Sequence, residues 1–465
     1  MAPPSSSDAD AVAAPPPSLS SAIARVRAML ADKSDSRLAQ LMAGKVFLVR
    51  VANAMLMLLS QVLLARWMGS YEFGIFIYVW TWVLMIGALS DMGLSSAAKR
   101  FVPEYTELKA FDKLRGFLVG SCWLAFAIAT GIAAIGALAV WLLDSWLDHY
   151  LVIPLFLACV MIPVYGLVQV QSGIASAYDW AGLAFWPFYI IRTSLVIVMM
   201  GIAWAIGLPT DAHTALYISI VSIYAITIGQ LFVLNRRLKT KVEPGPKQYE
   251  VKTWLGTALP IFVVEGFFLL LTYVDILALQ HFGTPEDVAT YYAGARLLSI
   301  VAFVYFAISG AVTHRFTEYH VTGDKERLAS FFAETIRWTF WPSLAMCAGI
   351  LIFGKPLLYL FGPDFQSAYP VMFILAIGML ARAAVGPAER LLNMLGQRMQ
   401  CASIYAGAFT INLVLCIILI PRIGIEGAGT ATATALVFES VMLFVVARRR
   451  LGLHVLMWGG KKLDV

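Results

Sequence analysis

The chain has 465 residues, 60% of them hydrophobic and 13% charged, and its mean hydropathy is +0.78. A water-soluble domain carries roughly a quarter charged residues, so this composition excludes a soluble fold and makes the bilayer the solvent. The pI of about 9.0 reads as a topology signal and not as affinity for nucleic acid, because the Arg236-Arg237 and Arg448-Arg449-Arg450 clusters abut apolar spans.

Residues 1–45 open with a Pro/Ser/Ala tail that lacks a basic region ahead of an apolar run, so a signal peptide is not expected. From about residue 18 to 45, Arg25, Arg27, Lys33 and Arg37 mix with Ile23, Val26, Leu30 and Leu38. This fits a basic surface helix or a partly ordered lead-in. Twelve spanning helices are then predicted at roughly 46–66, 73–98, 117–143, 151–172, 183–207, 214–235, 254–281, 288–313, 333–353, 368–391, 400–420 and 428–447. The expected fold is an all-α polytopic membrane protein: six helices in 46–236, a charged linker at 237–252 holding Pro244-Gly245-Pro246, six helices in 253–450 and a tail at 451–465. The five cysteines, Cys122, Cys159, Cys347, Cys401 and Cys416, all fall within spans without ligand spacing, so neither disulfides, a metal nor a cofactor is expected.

The halves repeat one another. Leu64-Ala65-Arg66-Trp67-Met68-Gly69 precedes an apolar stretch ending in Arg100-Phe101-Val102-Pro103-Glu104-Tyr105. Leu277 to Gly283 precedes another, ending in Arg315-Phe316-Thr317-Glu318-Tyr319. Gly69 to Arg100 is 31 residues and Gly283 to Arg315 is 32, and Asp112-Lys113 and Asp324-Lys325 follow in turn. A duplicated, almost wholly membrane-spanning chain has the plan of a secondary transporter.

Charge predicts orientation. With the N-terminus inside, one set of loops and tails carries 27 of the 34 Lys and Arg; the other carries three, Arg66, Lys355 and Arg422. Both termini are therefore expected in the cytoplasm. The longest external loop is about 14 residues, which gives a membrane glycosyltransferase or polymerase no platform for acid–base residues. Gly424-Ile425-Glu426-Gly427-Ala428-Gly429 lacks the strand and helix context of a phosphate loop and reads as a tight turn between spans.

Ionisable groups inside spans are costly and mark function by default. Arg50, Arg192, Arg296 and Arg382 come from four different helices, with Gln61 as a polar companion. Converging guanidinium groups would suit a diphosphate, which they bind in a bidentate way. The alternative for Arg50 and Arg337 is snorkelling to the interface. Asp275, Glu265 and Asp91 are the candidates for ion coupling; for Asp91, and for Glu439, a structural contact is the competing reading. Asp275 lies ten residues before Pro285 and Arg296 eleven after it. Antiparallel helices would set them at similar depth, so an ion pair is expected, serving either as a static brace or as a coupling device. Aligning the repeats on Gly69 and Gly283 places Gln61 opposite Asp275 and Trp82 opposite Arg296.

Several stretches resemble the polysaccharide transporter family of oligosaccharide flippases, in the multidrug/oligosaccharidyl-lipid/polysaccharide exporter superfamily. They are Ala65-Arg66-Trp67-Met68-Gly69 with Glu72-Phe73-Gly74, Asp91-Met92-Gly93-Leu94, Val274-Asp275-Ile276-Leu277-Ala278-Leu279, Tyr292-Ala293-Gly294-Ala295-Arg296-Leu297, Leu392-Asn393-Met394-Leu395-Gly396 with Asn412, and Ile420 through Ala428. The resemblance runs from about residue 45 to 450 and implies two pseudo-symmetric six-helix bundles around a central cavity. It implies a lipid-linked oligosaccharide diphosphate as substrate, flipped across the bacterial inner membrane for exopolysaccharide, capsule or O-antigen synthesis. Membrane lipids and polysaccharide polymerase machinery would be its partners, and an H+ or Na+ gradient its energy source. The alternatives are an ion-coupled multidrug exporter of the same superfamily, which calls for an acidic cavity, and a scaffold, which leaves the intramembrane charges unexplained. The short tail after the twelfth span argues against the lipid II branch, which carries two more helices.

The charge split makes one direct prediction. Reporter fusions after Asp148, Asp211, Asp287 and Glu426 should report the outside, and fusions after Asp112, Lys241 and Lys325 the cytoplasm. A cytoplasmic signal at Asp287 would exclude the two-times-six arrangement.

Overall fold

The computed structural model describes residues 35–321 and 325–451. The chain separates into a short unit, Met1–Ala52, and a main unit, Asn53–Val465. The short unit is helical from Asp35 onward; most of the expected surface helix at 18–45 and the C-terminal tail lie outside the described residues.

The first half of the chain contains α1 (Asp35–Leu89), α2 (Leu94–Glu107), α3 (Phe111–Leu142), α4 (His149–Ala177), α5 (Ala181–Trp186), a five-residue π-turn (Pro187–Ile191), α6 (Arg192–Ala205) and α7 (Ala212–Leu238). The second contains α8 (Val251–Phe282), α9 (Pro285–Leu298), α10 (Ala302–Val321), α11 (Lys325–Ile352), α12 (Gly354–Phe361), α13 (Tyr369–Ala384), α14 (Ala388–Met394) and α15 (Arg398–Leu451). Among the described residues there is no strand. Nine helices are long and apolar enough to cross a membrane, or ten if Glu326–Ile352 and Gly354–Phe361, bent by 66°, form one span.

Nine differs from the expected twelve for a geometric reason. Asn53–Glu107 and Met399–Arg450 run on for 55 and 52 residues. A straight helix of that length would reach about 80 Å, far beyond a hydrocarbon core of about 30 Å. Both are bent where the sequence places a loop: at Gly69 (φ 78°, ψ 171°) and at Ile423-Gly424 (Gly424 φ 58°, ψ −132°). These backbone angles favour glycine at both corners. Other corners are capped by side chains: Asp211 accepts from the Thr214 N–H at 2.8 Å, and Thr284 and Asp287 form a capping box with Pro285 at the first helical position.

The helices divide their surfaces between lipid and neighbours. α3 is apolar all round: it buries Gly116, Ala125 and Ala129 and turns outward Trp123, Ile135, Leu138 and Trp141. Small residues on the packed face let helices approach closely, which is how bundles associate in lipid.

The core is organised by membrane depth. At the charge-poor end one continuous apolar cluster joins both halves, with Leu64, Phe73 and Leu216 against Tyr291, Leu358 and Phe365. At the basic end the halves keep separate cores. One contains Phe101, Phe117 and Ile174; the other contains Phe316, Phe332 and Leu391. The seam is thus closed at the charge-poor end and parted at the basic end. One element crosses it at the basic end: the start of α8 places Trp254 and Ala258, both fully buried, in the core of the first half.

Polar contacts reinforce the closed end. The Arg66 guanidinium donates to the carbonyls of Tyr359 and Leu360 at the end of α12, and Gln280 Nε2 donates to Tyr150 Oη at 3.1 Å. At the basic end the linker is fastened to α3: Gln248 N–H donates to the Asp112 carbonyl at 3.0 Å, Arg115 donates to the carbonyls of Pro246 and Glu243, and Lys113 Nζ lies 2.8 Å from Glu250 Oε1. That ammonium contact holds the Glu250 carboxyl below its ordinary range.

Gly74 is the tightest point of the closed seam: a Cβ there would fall 1.8 Å from the Pro285 carbonyl oxygen. Gly74→Ala should therefore cost about 1–3 kcal/mol through overpacking and lower the thermal unfolding midpoint in detergent. Gly131→Ala, where a Cβ meets nothing within 4 Å, should be neutral or stabilising, since Ala is about 1 kcal/mol the better helix former. Equal midpoints for the two variants would show that the Gly74–Pro285 approach does not hold the seam.

Candidate functional site

Below the closed seam, the region between the halves, the chamber, is marked by two arginines, Arg192 of the first half and Arg296 of the second, the latter touching Met57 of the first. Arg192 follows the π-turn, and its N–H reaches back to the Pro187 carbonyl, five residues earlier. The extra residue in that turn rotates α6 relative to a regular helix; such insertions recur at functional sites. The guanidinium sits 4.4 Å from the ring centre of Trp80 and 4.6 Å from that of Phe188, with Nε 3.4 Å from the Phe188 carbonyl. It is 8% exposed, and it has no carboxylate partner among the described residues. Aromatic faces stabilise the cation without neutralising it.

Arg296 lies in the last turn of α9, with Nη2 3.6 Å from Met57 Sδ. It too lacks a carboxylate partner among the described residues. Tyrosines from both halves lie in the same region: Tyr165 and Tyr189 of the first, and Tyr273 and Tyr292 of the second. Asn53, Met57 and Gln61 are spaced i, i+4, i+8 and so share one face of α1. Asn53 Oδ1 and Gln61 Oε1 are buried without a hydrogen-bond partner. An unpaired buried acceptor costs free energy.

Arg382 lies apart from these two. In the last turn of α13, its Nε is 3.5 Å from Glu439 Oε1 and its Nη2 3.8 Å from Glu389 Oε2, and the rings of Phe268 and Tyr305 flank it. Glu439 is fully buried. Arg382, Glu389, Phe268 and Tyr305 border a cavity of about 590 Å³ within the second half, lined also by Glu265, Arg390, Asn393 and Tyr405. Of the expected arginines with described side chains, Arg382 lines this cavity and Arg192 and Arg296 do not. Arg50 lies outside the residues whose side chains are described.

The three acidic candidates occupy different settings. Asp91 accepts from the N–H groups of Gly93 at 2.8 Å and Ser95 at 3.2 Å, so it organises the turn into α2. Glu265 accepts from Ser96 Oγ at 2.8 Å, across the seam. Asp275 is 6% exposed; its Oδ2 accepts from Tyr291 Oη at 2.6 Å and Thr432 Oγ1 at 3.1 Å, and its Oδ1 from the Ile276 N–H at 2.8 Å.

The expected Asp275–Arg296 ion pair is not formed. Depth alone could not decide it, because azimuth also matters. Tyr291 is the α9 residue that faces Asp275, and five residues later, at about 100° each, Arg296 points roughly 140° away, toward α1. Sequence reasoning also missed the tyrosines. One of them carried a signal: Tyr292 precedes Arg296 by four residues, a spacing that puts side chains on one helix face.

Comparison with known proteins agrees with this architecture. A family model described as polysaccharide biosynthesis protein matches residues 43–320, and a MatE model matches residues 260–418. The probable low-salt glycan biosynthesis flippase of Haloferax volcanii is 22% identical over 406 residues, covering 86% of this chain and 81% of its own length. An inward-facing multidrug resistance MATE family transporter of the MOP superfamily superposes with a TM-score of 0.70 at 15% identity, over 86% of this chain and 94% of its own. The lipid II flippase MurJ, in an inward closed conformation, gives 0.65 at 15% identity, over 87% of each chain. With a family model matching more than half its length, and with this fold, the chain belongs to the polysaccharide biosynthesis protein family of multi-pass membrane proteins.

Proposed function

We propose that this protein is a flippase that carries a lipid-linked oligosaccharide diphosphate from the cytoplasmic to the outer leaflet of a bacterial cell membrane. The observation that carries this reading is the pair Arg192 and Arg296: cations without carboxylate partners, one from each half, beneath a closed seam. Guanidinium groups bind phosphate oxygens in a bidentate way, and tyrosines beside them offer hydroxyls and ring faces to sugars. The basic end, where the cores part, is the cytoplasmic side by the positive-inside rule, so the chamber is placed to load from the cytoplasm. The relative from Haloferax volcanii, named as a glycan biosynthesis flippase, supports the same reading. The prenyl tail would stay in lipid while the head group crosses between the halves.

Ion coupling is assigned first to Asp275. Its carboxylate is buried among hydroxyl donors from α9 and α15, so binding H+ or Na+ would alter how those helices are tied to α8. Glu265 is the second candidate, since its bond to Ser96 spans the seam where the basic end must open and close. Asp91, engaged by two backbone N–H groups, is assigned to structure. The carboxylate-lined cavity in the second half is the one feature that favours a cationic-drug exporter.

Arg192→Ala and Arg296→Ala should each reduce surface polysaccharide about 10- to 100-fold, the loss expected for a charge-assisted hydrogen bond of about 1.5–3 kcal/mol, at near-normal protein level. Lys at either position should keep partial function, because the charge survives but the fork is lost. Wild-type polysaccharide export by both Ala variants would remove the anion-site reading, and drug efflux that depends on Glu389 would replace it with the exporter.

Arg382→Ala should behave differently. It leaves Glu439 buried without its cation, which typically costs about 3–5 kcal/mol, so protein abundance should fall together with export. Arg382→Ala with Glu439→Gln should recover abundance, as measured by quantitative immunoblotting of membranes. Normal abundance of Arg382→Ala alone would show that the pair is not a structural necessity.

A further inference from the structure

The segment that positions Arg192 has a second face. Phe188 and Arg192 turn toward the chamber. Pro187, Ile191 and Leu195, on the opposite side, wall a groove of about 780 Å³ between α5–α6 and α7. The α7 wall includes Ala225, Gly229, Val233 and Arg237, spaced four apart and therefore forming one stripe along the helix. Twelve residues at 1.5 Å each make the stripe about 18 Å long, close to half of a hydrocarbon core of about 30 Å. The groove has the depth of one leaflet.

We propose that this groove binds an anionic glycerophospholipid of the leaflet at the basic end, with its phosphate at Arg237 and one acyl chain running along Gly229 and Leu195. The basic end supplies the charge: Arg236, Arg237, Lys239 and Lys241 fall within six positions at the end of α7, against Asp179 as the carboxylate in the groove lining. The Arg237 guanidinium is placed 5.5 Å from the ring centre of Trp180, which itself stacks on Tyr178 at 4.9 Å. This aromatic pair sits where indole rings mark the membrane interface, so Arg237 is held at head-group level. Above it the walls turn apolar and the floor is smooth. A Cβ at Gly229 would meet nothing within 4 Å, which leaves room for a chain lying against α7.

An acyl chain in this groove would pack against the back of the π-turn, opposite the ring of Phe188 that holds Arg192. The lipid would thus support the wall from which the chamber's first-half cation projects. The prenyl substrate is a poorer occupant, because the groove lies on the far side of that wall from the seam between the halves.

The test uses the purified full-length chain, equilibrated with mixed micelles of phosphatidylglycerol and phosphatidylcholine of matched chains and read by native mass spectrometry. Phosphatidylglycerol should be retained about fivefold over phosphatidylcholine, the preference expected of one basic residue acting on an anionic head group. Arg237→Gln, an exposed change, should bring that ratio to near one. Gly229→Leu, which fills the groove without a clash, should lower retention of both lipids. Equal retention of the two lipids by the unaltered chain would overturn the proposal, and so would retention unchanged in both variants. Displacement of phosphatidylglycerol by an equal amount of undecaprenyl diphosphate would also overturn it and give the groove to the prenyl chain.

Discussion

A cation taken out of water has to be compensated, and how it is compensated decides what else it can bind. This protein solves the problem in two ways. Arg382 is neutralised by Glu389 and Glu439 and becomes part of the second half's framework. Arg192 is sandwiched between Trp80 and Phe188, which stabilise the charge and leave it available. A carboxylate partner would have to be displaced before an anion could enter; an aromatic face does not. The difference between a structural arginine and a receptive one is therefore visible in its neighbours.

The chamber acquires its place from the seam. Gly74 lets α1 approach the turn before α9 so closely that the two halves share one apolar core at the charge-poor end. At the basic end the cores are separate, bridged by the start of α8 with the buried Trp254 and Ala258 and by a few polar contacts, Ser96 with Glu265 and Tyr105 with Glu250 and Trp254. Apolar packing is non-directional and strong in aggregate, whereas isolated polar contacts exchange readily. Duplicated transporters work by rocking two halves about a fixed site, and an asymmetry of this kind between the ends sets one resting state of such a motion.

Composition and charge-free run lengths made the polytopic all-α fold legible in the sequence, and the repeated Gly69 and Gly283 segments made the duplication legible. The turn at Gly424 was legible too, as a glycine-rich stretch between two apolar runs. The site was legible in part. Arg192, Arg296 and Gln61 stood out as polar groups in apolar runs, and in the structure Arg296 reaches Met57, one turn from Gln61 on the same helix. Arg382 stood out for the same reason, yet it lies elsewhere. Sequence reports depth along a helix; it reports azimuth only when a neighbour at i+3 or i+4 fixes the face. That is why Asp275 was matched to Arg296, at its own depth, when Tyr291 was the residue facing it. The carboxylates that neutralise Arg382 come from positions 389 and 439, and the longer of those separations carries no local signal.

Helix α8 belongs to two cores at once. Its first turns place the fully buried Trp254 and Ala258 among Phe101, Phe117 and Ile174 of the first half, while Leu279 further on packs in the shared core. The boundary suggested by the linker is thus not a boundary of packing. A fragment ending at the linker would keep every helix of the first half and still have an indole-sized hole in its interior. The complementary fragment would begin with a tryptophan that has nowhere to go. Although the sequence carries two similar units, neither is self-sufficient: the start of the second completes the interior of the first, so the two halves must fold as one.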